Sequence, residues 1–136
     1  MRPYKKALFP VMIIFFVVSI NACEKDEGEG GTSTITGRVY AIDYNSEWTV
    51  RKGEYYAPGV DVFIVYGNDS IYNDNFETGL GGWYRFDYLR EGMYTVYAFS
   101  RDSTQQSPMG EVPVMKTVRI NDKNETVVVD DITIYN

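Results

Sequence analysis

Residues 82–98, with the sequence GWYRFDYLREGMYTVYA, decide the fold of this chain. On both sides of residues 89–92, large apolar side chains recur at every second position, which is typical of β-strands that bury one face. Gly92 supplies the backbone freedom that a tight turn requires, and Leu89 is expected to close the end of that turn. The stretch therefore predicts a β-hairpin. The side chains predicted to face the core are Tyr84, Phe86, Tyr94, Val96 and Ala98. Those predicted to face outward are Trp83, Arg85, Asp87, Thr95, Tyr97 and Phe99.

Short runs rich in Val, Ile, Tyr, Phe and Thr recur around this stretch, separated by Gly, Asn and Asp, and helical periodicity is weak after residue 34. The turn residues at 67–69 and 121–124 suit tight connections because Gly and Asn accept positive φ. Seven short strands in about 100 residues predict an all-β fold, a single domain built as a two-sheet sandwich. The predicted strands cover residues 34–43, 59–67, 70–77, 82–88, 93–100, 113–121 and 125–135.

Three segments together resemble the carboxypeptidase regulatory-like, or transthyretin-like, domains of Bacteroidota surface proteins. They are residues 35–39 (ITGRV), residues 58–64 (PGVDVFI) and residues 82–98. The last segment matches the pattern Gly-x-Tyr-x-Phe-x-x-Leu-x-x-Gly-x-Tyr-x-Val-x-Ala at every fixed position. The resemblance covers most of residues 34–135 and implies an Ig-like, transthyretin-like sandwich. The chain departs from the family at Gly79, where an Asp is usual.

The N-terminus has the layout of a lipoprotein signal. A basic hexapeptide, MRPYKK, precedes an apolar run at residues 7–20. As a helix this run would reach about 21 Å, less than the roughly 30 Å of hydrocarbon that a membrane span must cross. Residues 20–23 (INAC) resemble the bacterial lipobox, in which the cysteine thiol receives a diacylglycerol and the signal peptide is cut before it. We therefore expect a signal peptide at residues 1–22 and lipidation of Cys23, with an ordinary secretory signal or an uncleaved anchor as the alternatives.

The residues after the predicted lipidation site indicate where the protein goes. Lys25, Asp26 and Glu27 resemble the signal that directs Bacteroidota lipoproteins to the outer face of the outer membrane. Their acidic, Gly-rich surroundings also predict a flexible tether at residues 23–33, about 15 to 20 Å long, ahead of a β-sandwich domain at residues 34–136. The predicted location is the outer membrane, with a lipid anchor and the folded domain facing the cell exterior.

The composition excludes several kinds of chemistry. The chain has 136 residues, no His and one Cys. It therefore has no Ser-His or Cys-His catalytic pair, no Cys/His zinc site and no intramolecular disulfide. Removal of residues 1–22 leaves 10 basic against 19 acidic residues, a net charge of −9. That surplus repels phosphate backbones, so we expect no nucleic-acid partner and attachment to the membrane through lipid alone.

Several outward positions carry larger and more apolar side chains than solvated strands usually do. Such side chains can stack a sugar ring or anchor a protein partner. The connection at residues 44–57, which is longer than the family pattern and rich in Trp and Tyr, could instead fold back and cover them. The candidate ligand-binding residues are Phe63, Trp83, Tyr97 and Phe99.

The remaining polar residues point to no reaction. Residues 69–75 contain Asp and Asn but lack the alternating ligand spacing of an EF-hand, so they are interpreted as a turn, and no metal or cofactor is expected. The sequence predicts a non-catalytic binding or structural module. One alternative is a carbohydrate-binding accessory protein of a glycan-uptake system. The other is an assembly subunit that pairs through an edge strand such as residues 125–135.

Overall fold

The computed structural model of the protein describes residues 26–136 and shows two β-sheets packed against each other, which confirms the all-β sandwich. Nine strands and one short 3-10 turn, Leu80–Gly82, make up this region. Within it, no helix is long and apolar enough to cross a membrane. The strands are β1 (Glu29–Tyr44), β2 (Arg51–Tyr56), β3 (Asp61–Tyr66), β4 (Asp74–Glu77), β5 (Trp83–Leu89), β6 (Gly92–Arg101), β7 (Glu111–Ile120), β8 (Thr126–Val128) and β9 (Ile132–Tyr135).

The first sheet is arranged around β1, which is 16 residues long. β1 pairs antiparallel with β5 along its first part and antiparallel with β2 along its last part. It also pairs in parallel with β8 and then with β9. Four shorter strands are therefore held in place by a single long one.

The second sheet has four antiparallel strands in the order β4-β3-β6-β7. β6 and β7 pair along their full length, from Gly92 opposite Ile120 to Arg101 opposite Glu111. Between the two sheets lies the hydrophobic core, and the burial of every second residue along β5 and β6 confirms the predicted inward set. The buried apolar side chains are Ile35, Val39, Ala41, Ala57, Val62, Ile64, Tyr84, Phe86, Leu89, Tyr94, Val96, Ala98, Ile120, Val129, Ile132 and Ile134.

Residues 82–98, which predict a β-hairpin, instead connect the two sheets. β5 pairs with β1, whereas β6 pairs with β3 and β7, so the strands before and after residues 90–91 lie in different layers. The hairpin prediction is wrong because a period of two shows which side chains face the core, and both arrangements bury the same set. In the sandwich, the inward faces of β5 and β6 meet each other across the core.

The count of nine strands also corrects the predicted seven. The predicted strand at residues 125–135 is split, because the three residues 129–131 lie opposite only two residues of β1, between the pairs Thr36–Val128 and Val39–Ile132. This extra residue acts as a bulge and separates β8 from β9. The other additional strand, β2, contains no buried residue, so its sequence has no hydrophobic periodicity.

The predicted flexible tether is wrong for the residues next to the domain. β1 begins at Glu29, within the predicted tether, and the residues before it are bound to the turn at residues 90–91. The Arg90 side chain donates from Nε to the carbonyl oxygen of Asp26 at 2.6 Å. The backbone N–H of Arg90 donates to the carbonyl oxygen of Gly28 at 2.8 Å. At Gly31, a Cβ would collide with the carbonyl oxygen of Leu89. Glycine at this position lets two backbone segments pack closely. From composition alone, the same glycine had been interpreted as a sign of flexibility.

Two fully buried tyrosines in the core differ in how their hydroxyl groups are satisfied. The Tyr94 hydroxyl accepts a hydrogen bond from the Gly28 N–H at 2.9 Å and donates one to the carbonyl oxygen of Arg90 at 2.7 Å. The Tyr84 hydroxyl lies against Gly37 and has no hydrogen-bond partner in the described part of the chain. Burial raises the pKa of both phenols. Tyr94 therefore links the N-terminal segment to the turn, whereas Tyr84 contributes mainly its apolar ring.

We expect Tyr94→Phe and Tyr84→Phe to have different effects on stability. The Tyr94 variant loses one buried and one partly buried hydrogen bond and leaves the Gly28 N–H unpaired, so the free energy of unfolding should fall by about 1–3 kcal/mol. The Tyr84 variant loses only an unpartnered hydroxyl, so its free energy of unfolding should stay the same or rise by up to about 1 kcal/mol. Urea unfolding followed by tryptophan fluorescence measures both. Equal losses in the two variants would contradict this assignment.

Candidate functional site

The outer surface of the four-stranded sheet carries a cluster of four aromatic rings, which we call the aromatic face. Phe63 of β3 lies opposite Tyr97 of β6, and their rings stack with centroids 5.2 Å apart and planes 22° apart. Phe99 packs edge-on against Tyr97 at 5.7 Å and against Phe63 at 5.9 Å. Tyr72, from the loop between β3 and β4, reaches over the sheet to within 4.8 Å of the Phe63 ring. Three of the four predicted binding residues thus lie together.

Other apolar side chains extend the aromatic face. Met115 lies opposite Tyr97 on β7 and is 58% exposed, and Pro113 lies opposite Phe99. Beside them, a shallow groove of about 470 Å³ runs between the sheet and residues 67–72. Phe99, Tyr72 and Met115 are all at least 44% exposed, so this surface is apolar and open to solvent.

The Asp and Asn residues near Tyr72 stabilise the loop that positions it. Asn73 accepts a hydrogen bond from the Tyr66 N–H at 2.8 Å and donates one to Asp69 at 2.9 Å. The Asp69 N–H in turn donates to the carbonyl oxygen of Tyr66, at 3.1 Å. This is the turn chemistry expected of Asx residues. Within residues 26–136, no group of three or more His, Cys, Asp or Glu side chains could hold a metal ion.

Sequence reasoning missed Tyr72, because it placed residues 70–77 in a strand. In the structure, β4 starts only at Asp74, and the residues before it form the loop that folds over the sheet. The Asp and Asn residues at 69–75, which are interpreted as a turn from the sequence, were the signal of a structured loop at this point.

Trp83, the fourth predicted residue, lies on the opposite side of the molecule. It faces outward from the five-stranded sheet and is 47% exposed. The Arg38 guanidinium lies between two rings there, 3.2 Å from the centroid of Tyr56 and 4.9 Å from that of Trp83. The alternation of side chains correctly predicted that Trp83 faces outward, but it could not show which sheet would carry it.

Residues 44–57 do not cover the aromatic face. Their strand, β2, extends the five-stranded sheet beside β1, and Tyr56 at its end packs on Arg38 and Tyr40. The connection therefore contributes to the Trp83 side of the sandwich.

Acidic side chains border the aromatic face on its β3–β4 side. Asp61 and Glu77 lie directly opposite each other in the register of these strands, and both are exposed. The two ion pairs found among residues 26–136 join Arg51 to Glu54 and Arg85 to Asp87, so neither Asp61 nor Glu77 is neutralised there. Like charges at opposing positions of a sheet are unfavourable.

The aromatic face can bury apolar surface and exchange hydrogen bonds through tyrosine hydroxyls. Burial raises the pKa of Tyr97 above its ordinary value, so this phenol stays protonated near neutral pH. Its O–H can therefore donate to a bound partner.

The predicted anchoring and export residues are only partly described. Cys23 and Lys25 lie outside residues 26–136, so their roles stay predictions. Asp26 and Glu27 are described, and the Glu27 carboxylate accepts a hydrogen bond from the Met93 N–H at 3.1 Å. That bond lowers the pKa of Glu27, which keeps the carboxylate ionised. Glu27 thus has a structural contact in addition to its predicted export role.

No family model and no curated protein matches the chain. Among solved structures, it is similar to the crystal structure of a "putative carbohydrate binding protein" from Pseudomonas aeruginosa. The two chains are 14% identical, the TM-score is 0.46, and the match covers 76% of this chain and 90% of the other.

We expect Asn73→Ala to loosen the loop that holds Tyr72 over Phe63. The variant loses the acceptor for the Tyr66 N–H, so unfolding should become easier by about 1 kcal/mol and the Tyr66 amide should exchange faster with solvent. Asn75→Ala is the matched control, because the Asn75 side chain makes no hydrogen bond within the described residues. Thermal unfolding and amide hydrogen exchange measure the two effects. Unchanged exchange at Tyr66 in the Asn73 variant would show that the loop is held in another way.

Proposed function

We propose that this protein is an outer-membrane lipoprotein, anchored through Cys23 and facing the cell exterior, whose β-sandwich binds another protein and performs no catalysis. The aromatic face is the observation that supports the binding role. It is contiguous, exposed and built on a rigid sheet, and it consists of the residue types that are enriched in the buried centres of protein interfaces.

The arrangement of the rings favours a protein partner over a sugar. A sugar ring stacks on an open, flat aromatic face. Phe63 and Tyr97 turn their faces toward each other, and Phe99 meets both of them edge-on, at interplanar angles of 72° and 89°. The cluster therefore presents an uneven surface, which Met115 extends, and such a surface suits the irregular apolar side chains of a protein.

The charge around the aromatic face narrows the chemistry of the partner. Asp61 and Glu77 lie opposite each other and have no ion-pair partner among residues 26–136, so a bound cationic group can contact both carboxylates. We infer that the partner presents an apolar patch bordered by Lys or Arg on the side that meets β3 and β4.

A glycan partner remains the second candidate, and the opposite sheet favours it. Trp83 is half exposed there, beside the guanidinium group of Arg38, and aromatic rings next to planar polar groups suit sugar recognition. A site for sugar on this protein would thus be centred on Trp83 and separate from the aromatic face.

The predicted edge strand at residues 125–135 has less support. Its two strands, β8 and β9, lie beside β1 and have only three and four residues. The Tyr135 N–H is already bonded to Ser100 Oγ at 2.8 Å. An added strand would therefore find only short, interrupted stretches of free backbone.

We expect Cys23→Ser to release the protein from the membrane fraction. The substitution removes the sulfur that would carry the lipid, and no helix among residues 26–136 could replace that anchor. Cell fractionation and intact mass of the mature protein measure the outcome. Unacylated wild-type protein, or a processed Cys23→Ser variant that stays in the membrane, would refute lipid anchoring.

We expect a photo-crosslinking amino acid at Phe99 to form a discrete adduct with one protein in intact cells. Met115→Asp should weaken that adduct at least tenfold, because it places a charge in the apolar centre of the contact. Asp61→Lys should weaken it less, through repulsion of the basic border of the partner. The same crosslinker at Thr133, on the outer surface of the five-stranded sheet, is the control and should form no such adduct.

Variants of the two sheets distinguish a protein partner from a glycan partner. An adduct at Phe99 that is insensitive to Met115→Asp would contradict binding through the aromatic face. Glycan-array binding that Trp83→Ala abolishes and Phe99→Ala leaves intact would assign the function to the other sheet.

A further inference from the structure

We propose that the lipid anchor holds the sandwich end-on against the membrane, with the turn at residues 90–91 and the turn at residues 121–125 facing the lipid headgroups. We call this the anchored end. The inference rests on the proposed lipidation of Cys23, and it assigns a membrane contact surface to the folded domain itself.

The anchored end is fixed by the contacts of the N-terminal segment. Arg90 donates to the carbonyl oxygens of Asp26 and Glu29, and the Glu27 carboxylate binds the Met93 N–H. The Gly28 N–H binds the buried Tyr94 hydroxyl. These contacts hold the chain from Asp26 onward against the β5–β6 turn.

The connection from this segment to the proposed lipid is short. Only Glu24 and Lys25 separate Asp26 from Cys23, and three fully extended residue-to-residue steps cover at most about 3.6 Å each, or roughly 11 Å. A connection of this length cannot let the sandwich turn over, because the domain is much longer than the connection. The ten residues of β6 alone extend about 33 Å.

The anchored end also has a suitable surface for headgroups. A groove of about 680 Å³ lies between the N-terminal segment and the two turns. Its walls carry side chains of both signs, including Arg119 and Lys123 as well as Asp26 and Glu91. Zwitterionic headgroups present a phosphate and an amine together, and a surface of mixed charge can contact both.

The opposite end of the sandwich is built as an exposed loop. Residues 102–110 connect β6 to β7 there, and Met109 in this loop is 89% exposed. Hydrogen bonds from the Thr104 hydroxyl and from the backbone N–H groups of Ser107, Thr104 and Gln106 hold the pKa of Asp102 at about 2. Its carboxylate therefore stays ionised at neutral pH, and the four hydrogen bonds that it accepts keep the loop folded.

Single-cysteine labelling of the full lipoprotein tests the orientation. Acylation consumes the only native thiol, so a cysteine introduced at Lys123→Cys or at Met109→Cys is the only group that reacts with a maleimide fluorophore. The labelled proteins are reconstituted into phosphatidylethanolamine and phosphatidylcholine vesicles that contain a lipid with a nitroxide on its headgroup. We expect at least threefold stronger quenching at position 123 than at position 109.

A longer connection is the second variant. Ten Gly and Ser residues inserted between Cys23 and Glu24 should bring quenching at position 123 down toward that at position 109. Equal quenching at both positions without the insertion, or no change on insertion, would overturn the proposal. Labelling of the protein without any introduced cysteine would instead show that Cys23 is not acylated. That result would refute the proposed anchor, and it is obtained before any quenching is measured.

Discussion

The structure depends on one long strand whose backbone pairs on both sides. β1 forms ladders with β5, β2, β8 and β9, and no other strand of the five-stranded sheet is paired within that sheet except through β1. Its first residues also contact the turn between the two sheets, so the same strand holds the N-terminal segment, the core and the C-terminus together. Loss of register along β1 would move Ile35, Val39 and Ala41 out of the core at once.

The link between the sheets is as important as the pairing within them. Residues 90–91 carry the chain from one sheet to the other, and the Tyr94 hydroxyl joins this turn to the N-terminal segment. Because the turn belongs to both layers, the position of the segment from Asp26 onward is fixed relative to the aromatic face. A domain tethered by a flexible chain would have no such fixed relation.

The sequence predicted which side chains face the core far better than it predicted which strands pair. Tyr84, Phe86 and Tyr94 were identified from a period of two, which is a local signal. Whether two successive strands share a sheet depends on distant partners, so the hairpin prediction was wrong and Trp83 was grouped with residues on the other face. The split near Val129 did leave a local trace, because Val129 and Ile132 both face inward although they are three residues apart.

The candidate site, too, was predicted from the sequence only in part, and its position on the fold determines which partner can reach it. Phe63, Tyr97 and Phe99 were predicted from alternation, whereas Tyr72 comes from a loop whose path depends on the side chain of Asn73. In the proposed orientation, the strands run along the membrane normal, so the exposed rings of the aromatic face point in a direction parallel to the membrane. β3 ends near Glu27 at the anchored end, which places Asp61 at its outer end. A partner anchored in the same membrane could therefore reach the apolar rings directly, provided that its basic side chains lie on the part of it that extends farthest from the lipid.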